Sequence, residues 1–455
     1  MRRRRKFKAD DGGLPGTVMD RGPYNSLMER FFRLFVLGLA AAAIHAEVHT
    51  MNLRQAMDRA LEQNPDLALA RLDEQKAAQA VRLAKAPFSP AVFAGSGIAY
   101  ANGFPVSIEG SAPSIVQARV QQDLFNRQQS YTVAAARENA RGAGIGASAK
   151  REEVALRTAS LFLDAQRSGR LNELARKQVE SLQNIEQTTA ARVQEGRELP
   201  LQSKRAALNV ARARERVQQL AGDQDSTERS LAVVLGFGAD DQVRPTLDEP
   251  PELTLPASED AAIQSALESS KELRRLESAL IAKGLDVRAE KAARLPTVDL
   301  VAQWALFAKY NHYADYFKAY QSNNGEIGVA ITIPVLPGLR VSASVAQAEV
   351  EATRLRIEMN AARNRISLET RQAYQTLHKA ETARDVARLD LEVARDEVSV
   401  LLAQTNEGRA ALQQLEQARF NEDEKWIAFY DAQCAAEKAA WDLLHQTGSV
   451  MAALR

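Results

Sequence analysis

From Leu339 to Glu407 the chain runs for 69 residues without a glycine or a proline. A helix of that length, at ~1.5 Å per residue, is about 100 Å long. It cannot bury itself against one compact core. Its pattern, "LETRQAYQTLHKAETARDVARLDLEVARDEV" from Leu368, mixes apolar and charged residues as coiled-coil packing does. Such a helix must lie beside comparable helices, from this chain or from copies of it.

Comparable helices are present because the chain repeats itself. "AMDRALEQNPDLALARL" from Ala56 matches "AIQSALESSKELRRLESAL" from Ala262 at an offset of 206, which also places Pro90 on Pro296. "DLFNRQQ" from Asp123 answers "PVLPGLR" from Pro334 at an offset of 211. The stretches "QEGRELPLQS" from Gln194 and "NEGRAALQQL" from Asn406 share Glu-Gly-Arg, and Gly196 answers Gly408 at an offset of 212. The expected organisation is a first repeat over 47–250 and a second over 251–455, joined by the Pro-rich "DEPPELTLP" from Asp248. Each repeat reads as an amphipathic helix, a proline, two strands, a very long helix, a glycine-centred break and a returning helix.

The strands are expected over about 90–101, 114–125, 297–310 and 326–336. Val116, Ala118, Val120 and Leu124 share one face, while Gln117, Arg119, Gln121 and Asp123 share the other. Val298, Leu300, Ala302, Trp304, Leu306, Ala308 and Tyr310 form a second apolar series, and Ile327, Val329, Ile331, Ile333 and Val335 a third. Segments of ~10 residues with this two-residue period suit transmembrane β-strands. A half-buried soluble sheet gives the same alternation. The number of strands is more informative. Four cannot close a barrel, and an open edge in lipid leaves backbone groups unpaired. Single-chain barrels begin at about eight strands, so membrane strands here require several chains to pool them.

Residues 1–46 read as an export signal. From Met28, "MERFFRLFVLGLAAAAIHAEV" carries Arg30 and Arg33, an apolar run and small residues near Ala43 and Ala46. That order points to translation starting at Met28 or Met19, and the apolar run is shorter than the ~20 residues of a transmembrane helix. With no Cys at the cleavage region, lipid attachment there is not expected. Lys+Arg number 59 and Asp+Glu 58, and the first 46 residues hold nine of the bases and four of the acids. The rest of the chain is therefore slightly acidic, which argues against nucleic acid as a partner.

The residues offer no catalytic constellation. His45, His49, His312, His378 and His445 are scattered and lack metal-ligand spacing. Neither a metal site nor a cofactor is expected, and the chain does not read as an enzyme. Cys434, the single cysteine, lies in a helical run and reads as a small packed side chain. "GAGIGAS" from Gly142 lacks the Lys-Ser/Thr of a phosphate-binding loop and reads as small residues for close helix packing. "KYNHYADYFKAY" from Lys309 reads as an aromatic loop between the third and fourth strands.

Export signal, duplicated halves, two strands per half and paired glycine breaks together resemble the TolC-type outer membrane efflux family. "LRQAMDRALEQNPDLALAR" from Leu53, "ARVQEGRELPLQSKRAALNVARARERV" from Ala191 and "NEGRAALQQLEQARFNEDEKWIAFYDA" from Asn406 carry the likeness, in that order. The resemblance implies an α+β fold in which long α-helical hairpins form an α-barrel across the periplasm. It implies four transmembrane strands per chain, pooled by a homotrimer into a twelve-stranded β-barrel in outer-membrane lipid. It implies a passive exit duct for small-molecule efflux or type I secretion, with a periplasmic adaptor (membrane fusion protein) and an inner-membrane transporter as partners. Glu195, Gly196 and Arg197, with Glu407, Gly408 and Arg409, would be the hairpin tips that meet the adaptor. Family members commonly place an Asp six residues beyond the tip glycine, near the tunnel constriction. Here those positions are Gln202 and Gln414, so any constriction charge must come from elsewhere, with Glu198 or Glu195 as candidates. The competing reading is a soluble periplasmic coiled-coil scaffold or pump adaptor. Two equivalent hairpins in tandem order favour the duct.

Overall fold

The computed structural model describes residues 47–97, 114–246, 253–307, 323–335, 338–407, 409 and 411–453. The expected signal segment, Gly408 and the aromatic loop lie outside these residues. After a short strand β1 (Val48–Met51), Asn52 starts the first helix. Its side chain accepts from the Gln55 N–H at 2.8 Å, and Gln55 Oε1 accepts from the Asn52 N–H at 3.1 Å. This reciprocal cap satisfies two donors that helix geometry leaves free. Helix α1 (Leu53–Gln63) gives way to α2 (Pro65–Lys85) at Asn64, whose side chain caps the Asp66 and Leu67 N–H groups. Pro65 occupies the first helical position, where its missing N–H costs nothing.

Strands β2 (Ala91–Gly97) and β3 (Ser114–Phe125) follow, then α3 (Arg127–Gln194, 68 residues) and α4 (Pro200–Val234, 35 residues). A strand β4 (Gln242–Pro245) leads to α5 (Glu259–Ser269), α6 (Lys271–Ala292), β5 (Thr297–Phe307) and β6 (Asn323–Thr332). The chain closes with α7 (Gly338–Asn406, 69 residues), α8 (Leu412–Gln446, 35 residues) and α9 (Val450–Ala453). The helices α1 to α4 have 11, 21, 68 and 35 residues, and α5 to α8 have 11, 22, 69 and 35.

One four-stranded antiparallel sheet runs β2-β3-β5-β6, so β2 and β6 each pair on one side. Its register lines up Val92 with Val120, Val120 with Ala302, and Ala302 with Ile327. Ala94, Ala118 and Trp304 form a second such row. Within the described strands the apolar series share one face, and that face is open: Ile327 is 78% exposed and Val329 56%. The opposite face carries Arg119, Gln303 and Glu326 in one row and the Asp123–Asp299 pair in another.

The fourth strand differs from its expected span of 326–336. It starts at Asn323 and stops at Thr332. Apolar alternation continues past that point, but Pro334 has no N–H to give a ladder. At the other end Asn323 is fixed by the Trp304 indole, which donates to Asn323 Oδ1 at 2.6 Å. The parallel pair β1–β4 was not foreseen.

Helix α3 packs against α2, α4, α6 and α8, while α7 packs against α5, α6 and α8. The main cores lie midway along the long helices. One gathers Ala56, Leu67, Phe162, Leu231 and Val243, and another Met57, Ala159, Leu163, Trp441 and Leu444. Alanine recurs throughout, which lets helices approach closely. Gly142 lies where a methyl group would meet Ser278 of α6 at 3.6 Å, and Gly144 where it would meet Glu74 of α2 at 3.3 Å.

Both returning helices end on glycines with positive φ, Gly236 (79°) and Gly448 (68°), again separated by 212 residues. A Cβ at Gly236 would lie 2.7 Å from the Gln63 carbonyl oxygen at the end of α1. Only glycine satisfies both the backbone and the space there.

Candidate functional site: the hairpin tips

Helix α3 ends at Gln194; Glu195 beyond it keeps a right-handed backbone, and Gly196 then turns left-handed at φ 71°. The Gly196 N–H donates to Val193 O at 3.0 Å and the Arg197 N–H to Arg192 O at 2.9 Å. This is the Schellman termination, in which glycine avoids the Cβ penalty of the left-handed region while orphan carbonyls gain donors. Leu199 caps α4 with Pro200 at its first position, so the chain reverses within five residues, 195–199.

Among the described residues the second tip repeats several bonds of the first. The Arg409 N–H donates to Gln404 O at 2.8 Å, as Arg197 does to Arg192. Gln414 donates its N–H to Ala411 O at 3.0 Å, as Gln202 does to Leu199 O at 2.8 Å. Arg197 pairs with Glu195 at 3.1 Å, and Arg409 pairs with Glu407 at the same 3.1 Å. Both pairs are largely exposed, and such pairs add only ~0–1 kcal/mol to stability. Each tip thus displays one Arg and one Glu held in a fixed relation at the end of a helical hairpin. Leu199 and Leu201 are also exposed beside the first tip.

The structure separates the residues expected at a constriction. Glu198 and Gln202 line a groove of ≈480 Å³ between the first hairpin and the start of the second, with Arg192, Arg205, Gln413 and Glu416. Gln414 is turned away to its own helix start, where Oε1 accepts from the Ala411 N–H at 3.1 Å. Burial, with the Glu198 carboxylate nearby, raises Glu416 above the usual carboxylate range. Further up α8, burial and then Glu422 push Asp423 up to about 6. Neither acid was picked out by the sequence reading.

Above the groove the hairpins are tied by charged and polar contacts. Arg167 meets Asp431 at 2.5 Å, Lys438 meets Asp164 at 2.6 Å, and Arg419 donates to Ser181 Oγ at 3.1 Å. Cys434 is buried, and burial pushes its thiol up to about 11, an inert state. Among the described residues no group of three or more His, Cys, Asp and Glu could hold a metal ion, and no helix is long and apolar enough to cross a membrane. His378 sits 3.2 Å from Glu381 on the same helix, and His45 and His312 lie outside the described residues.

Residues 56–237 match the outer membrane efflux protein family. The outer membrane efflux protein BepC of Brucella suis biovar 1 (strain 1330) is 26% identical over 247 residues, 54% of this chain and 50% of that protein. The match thus spans about half the length of this curated relative. The Campylobacter jejuni CmeC outer membrane channel superposes with a TM-score of 0.73 at 15% identity, covering 88% of this chain and 86% of that one. The open state of the Neisseria gonorrhoeae MtrE outer membrane channel gives 0.69 at 16% identity, covering 88% and 89%. Both of these solved structures are outer membrane channels. The chain has the fold of the TolC-type outer membrane channels, and its residues 56–237 resemble the outer membrane efflux protein family.

Proposed function

We propose that this protein is a trimeric outer-membrane exit duct, passive in itself, that passes small molecules or secreted polypeptides delivered by an inner-membrane transporter through a periplasmic adaptor. The observation that carries the reading is the sheet. It has one exposed apolar face, an opposite face that carries Arg119, Asp123, Asp299, Gln303 and Glu326 along with Phe93, and two edge strands that pair on one side only. In lipid those edges must find partners, and three copies would supply a closed ring of twelve strands, within the range of outer-membrane barrels.

The helices support the same arrangement. Leu339, Val350, Ile357, Leu368, Val386, Val393 and Val400 of α7 are all exposed. They are spaced by 7, 11 or 18 residues, each within about 20° of a whole number of helical turns, so they form one nearly straight stripe. At the other flank of the helix array α2 exposes Leu69, Leu72 and Leu83, and α4 exposes Leu201 and Leu208. The two flanks differ, so contact between copies is head-to-tail, and it closes into a ring of three when each copy is rotated by a third of a turn. Six tips would then face one direction, each presenting an Arg–Glu pair, and the adaptor docks on Glu195, Gly196, Arg197, Glu407, Gly408 and Arg409. Docking splays the tips and opens the tunnel.

Cysteines at Leu83 and Leu339, in a Cys434→Ala background, test the ring. Oxidation should give a covalent ladder ending at three chains. A ladder ending at two, or no cross-link, would overturn the arrangement.

A further inference from the structure

Helix α8 carries Glu416, Asp423, Tyr430, Glu437 and Leu444 at successive seven-residue intervals. A seven-residue repeat keeps one stripe of a helix against its neighbour, and coiled-coil packing fills such a stripe with aliphatic side chains. Here three of the five are carboxylic acids, and none of the three is fully exposed. The packing around them is loose. Glu416 borders the ≈480 Å³ groove at the tip. Asp423 borders a second groove of ≈360 Å³, with Leu171, Arg216, Leu220, Phe420 and Ile427. Toward the tip a small cluster among the described residues gathers Leu182, Val210 and Ala213 with Phe420 beside it, whereas Trp441 and Leu444 are fully packed at the other end of α8.

We propose that this seam makes the packing of α8 on α3 and α4 depend on protons, so that acid conditions hold the two hairpins together near the tip and neutral conditions loosen them.

The charged surroundings fix the direction. Glu416 faces Glu198 from the turn, with Arg192 of α3 and Arg205 of α4 in the same groove. Asp423 has Gln178 of α3 as a hydrogen-bond donor, Arg216 of α4 across the upper groove, and Arg419, Glu422 and Glu424 on its own helix. From α7 the lower groove receives Thr405, and among the described lining residues α7 gives neither groove a charged group. Burial also raises Glu437, higher up, although Gln433 on its own helix, Arg170 of α3 and Arg384 of α7 favour its charged form. Near the tip the burden of buried charge falls on Glu416 and Asp423. A carboxyl raised in the packed state holds its proton more tightly there than in solvent. Packing is then most favourable below the solvent value and weakens as pH rises through the raised one.

For Asp423, moved from 3.8 to about 6, a step from about pH 7.5 to about pH 5 favours the packed form by up to about tenfold, reduced by solvent screening. The consequence for permeability rests on the duct reading; the packing change does not.

Spin labels at Ala207→Cys on α4 and Gln417→Cys on α8, with Cys434→Ala, report the separation in detergent-solubilised protein. The short-distance population should grow several-fold between about pH 7.5 and about pH 5. In the Glu416→Gln/Asp423→Asn protein, neutral at both, it should be high throughout. An unchanged distribution in the protein with its native acids would overturn the proposal, as would a pH response retained by the double variant. If the distances respond but membrane conductance is absent, the duct reading fails and this one stands.

Discussion

Gly236, Gly448 and Gly196 share nearly the same positive φ, yet a methyl group at each would meet different surroundings, which separates backbone cost from steric cost. An L-residue in the left-handed region costs roughly 1–2 kcal/mol, and replacing glycine returns ~0.4–1 kcal/mol by restricting the unfolded chain. At Gly196 nothing lies within 4 Å of the added Cβ, so Gly196→Ala should cost about 1 kcal/mol or less. At Gly236 the Cβ would lie 2.7 Å from the Gln63 carbonyl oxygen and 3.1 Å from its carbon. Backbone at a helix end cannot swing aside, so overpacking adds ~1–3 kcal/mol, and the total reaches about 2–4 kcal/mol. Gly448→Ala falls between. Its Cβ would meet Ser269 Oγ at 2.7 Å and Ser269 Cβ at 2.9 Å; the hydroxyl can turn away at the expense of its 2.8 Å bond to Thr447 O, while the Cβ moves only with its backbone. Thermal unfolding followed by circular dichroism, at one scan rate in one detergent, should rank the losses Gly236, Gly448, Gly196. Equal losses at all three, or a larger loss at Gly196 than at Gly236, would refute the steric argument.

Arg244→Ala should cost about 3–5 kcal/mol because it strands Glu228, whose side chain is 2% exposed, without its cation. Arg167→Ala breaks the half-exposed pair with Asp431 and should cost under about 1 kcal/mol in the same melts. Val329→Arg on the apolar sheet face should lose ~2–4 kcal/mol of membrane stability and deplete the protein from outer-membrane fractions, while Gln303→Arg on the polar face should not. Reversing both tip arginines, Arg197→Glu with Arg409→Glu, should leave the melting temperature within about 2 °C and abolish co-purification with the adaptor. Retained co-purification would remove the tips from the docking surface.

How much of this was legible depended on how local the signal was. The 69-residue helix could be read because nothing inside its run breaks a helix. Pro90 and Pro296 marked the strand starts at Ala91 and Thr297, and β3 spans Ser114–Phe125 as its alternation indicated. The two Glu-Gly-Arg stretches were visible as breaks, but the ion pairs within them depend on the turn geometry. The last strand was misjudged because side-chain alternation ran on through Pro334, where the backbone ladder cannot. The β1–β4 pair was missed because two four-residue strands almost two hundred residues apart show no period of their own. The acids of α8 escaped notice for a related reason. Glu416 and Asp423 look like solvated charges in a helical sequence, and only the neighbouring hairpin makes them a seam.

The central claim is that three copies pool their strands. Cross-linking intact outer membranes, extracting in mild detergent and measuring native mass tests it directly. The account predicts a species of three chains in the outer-membrane fraction. A single chain in the soluble periplasmic fraction would leave the edges of β2 and β6 without partners and contradict it.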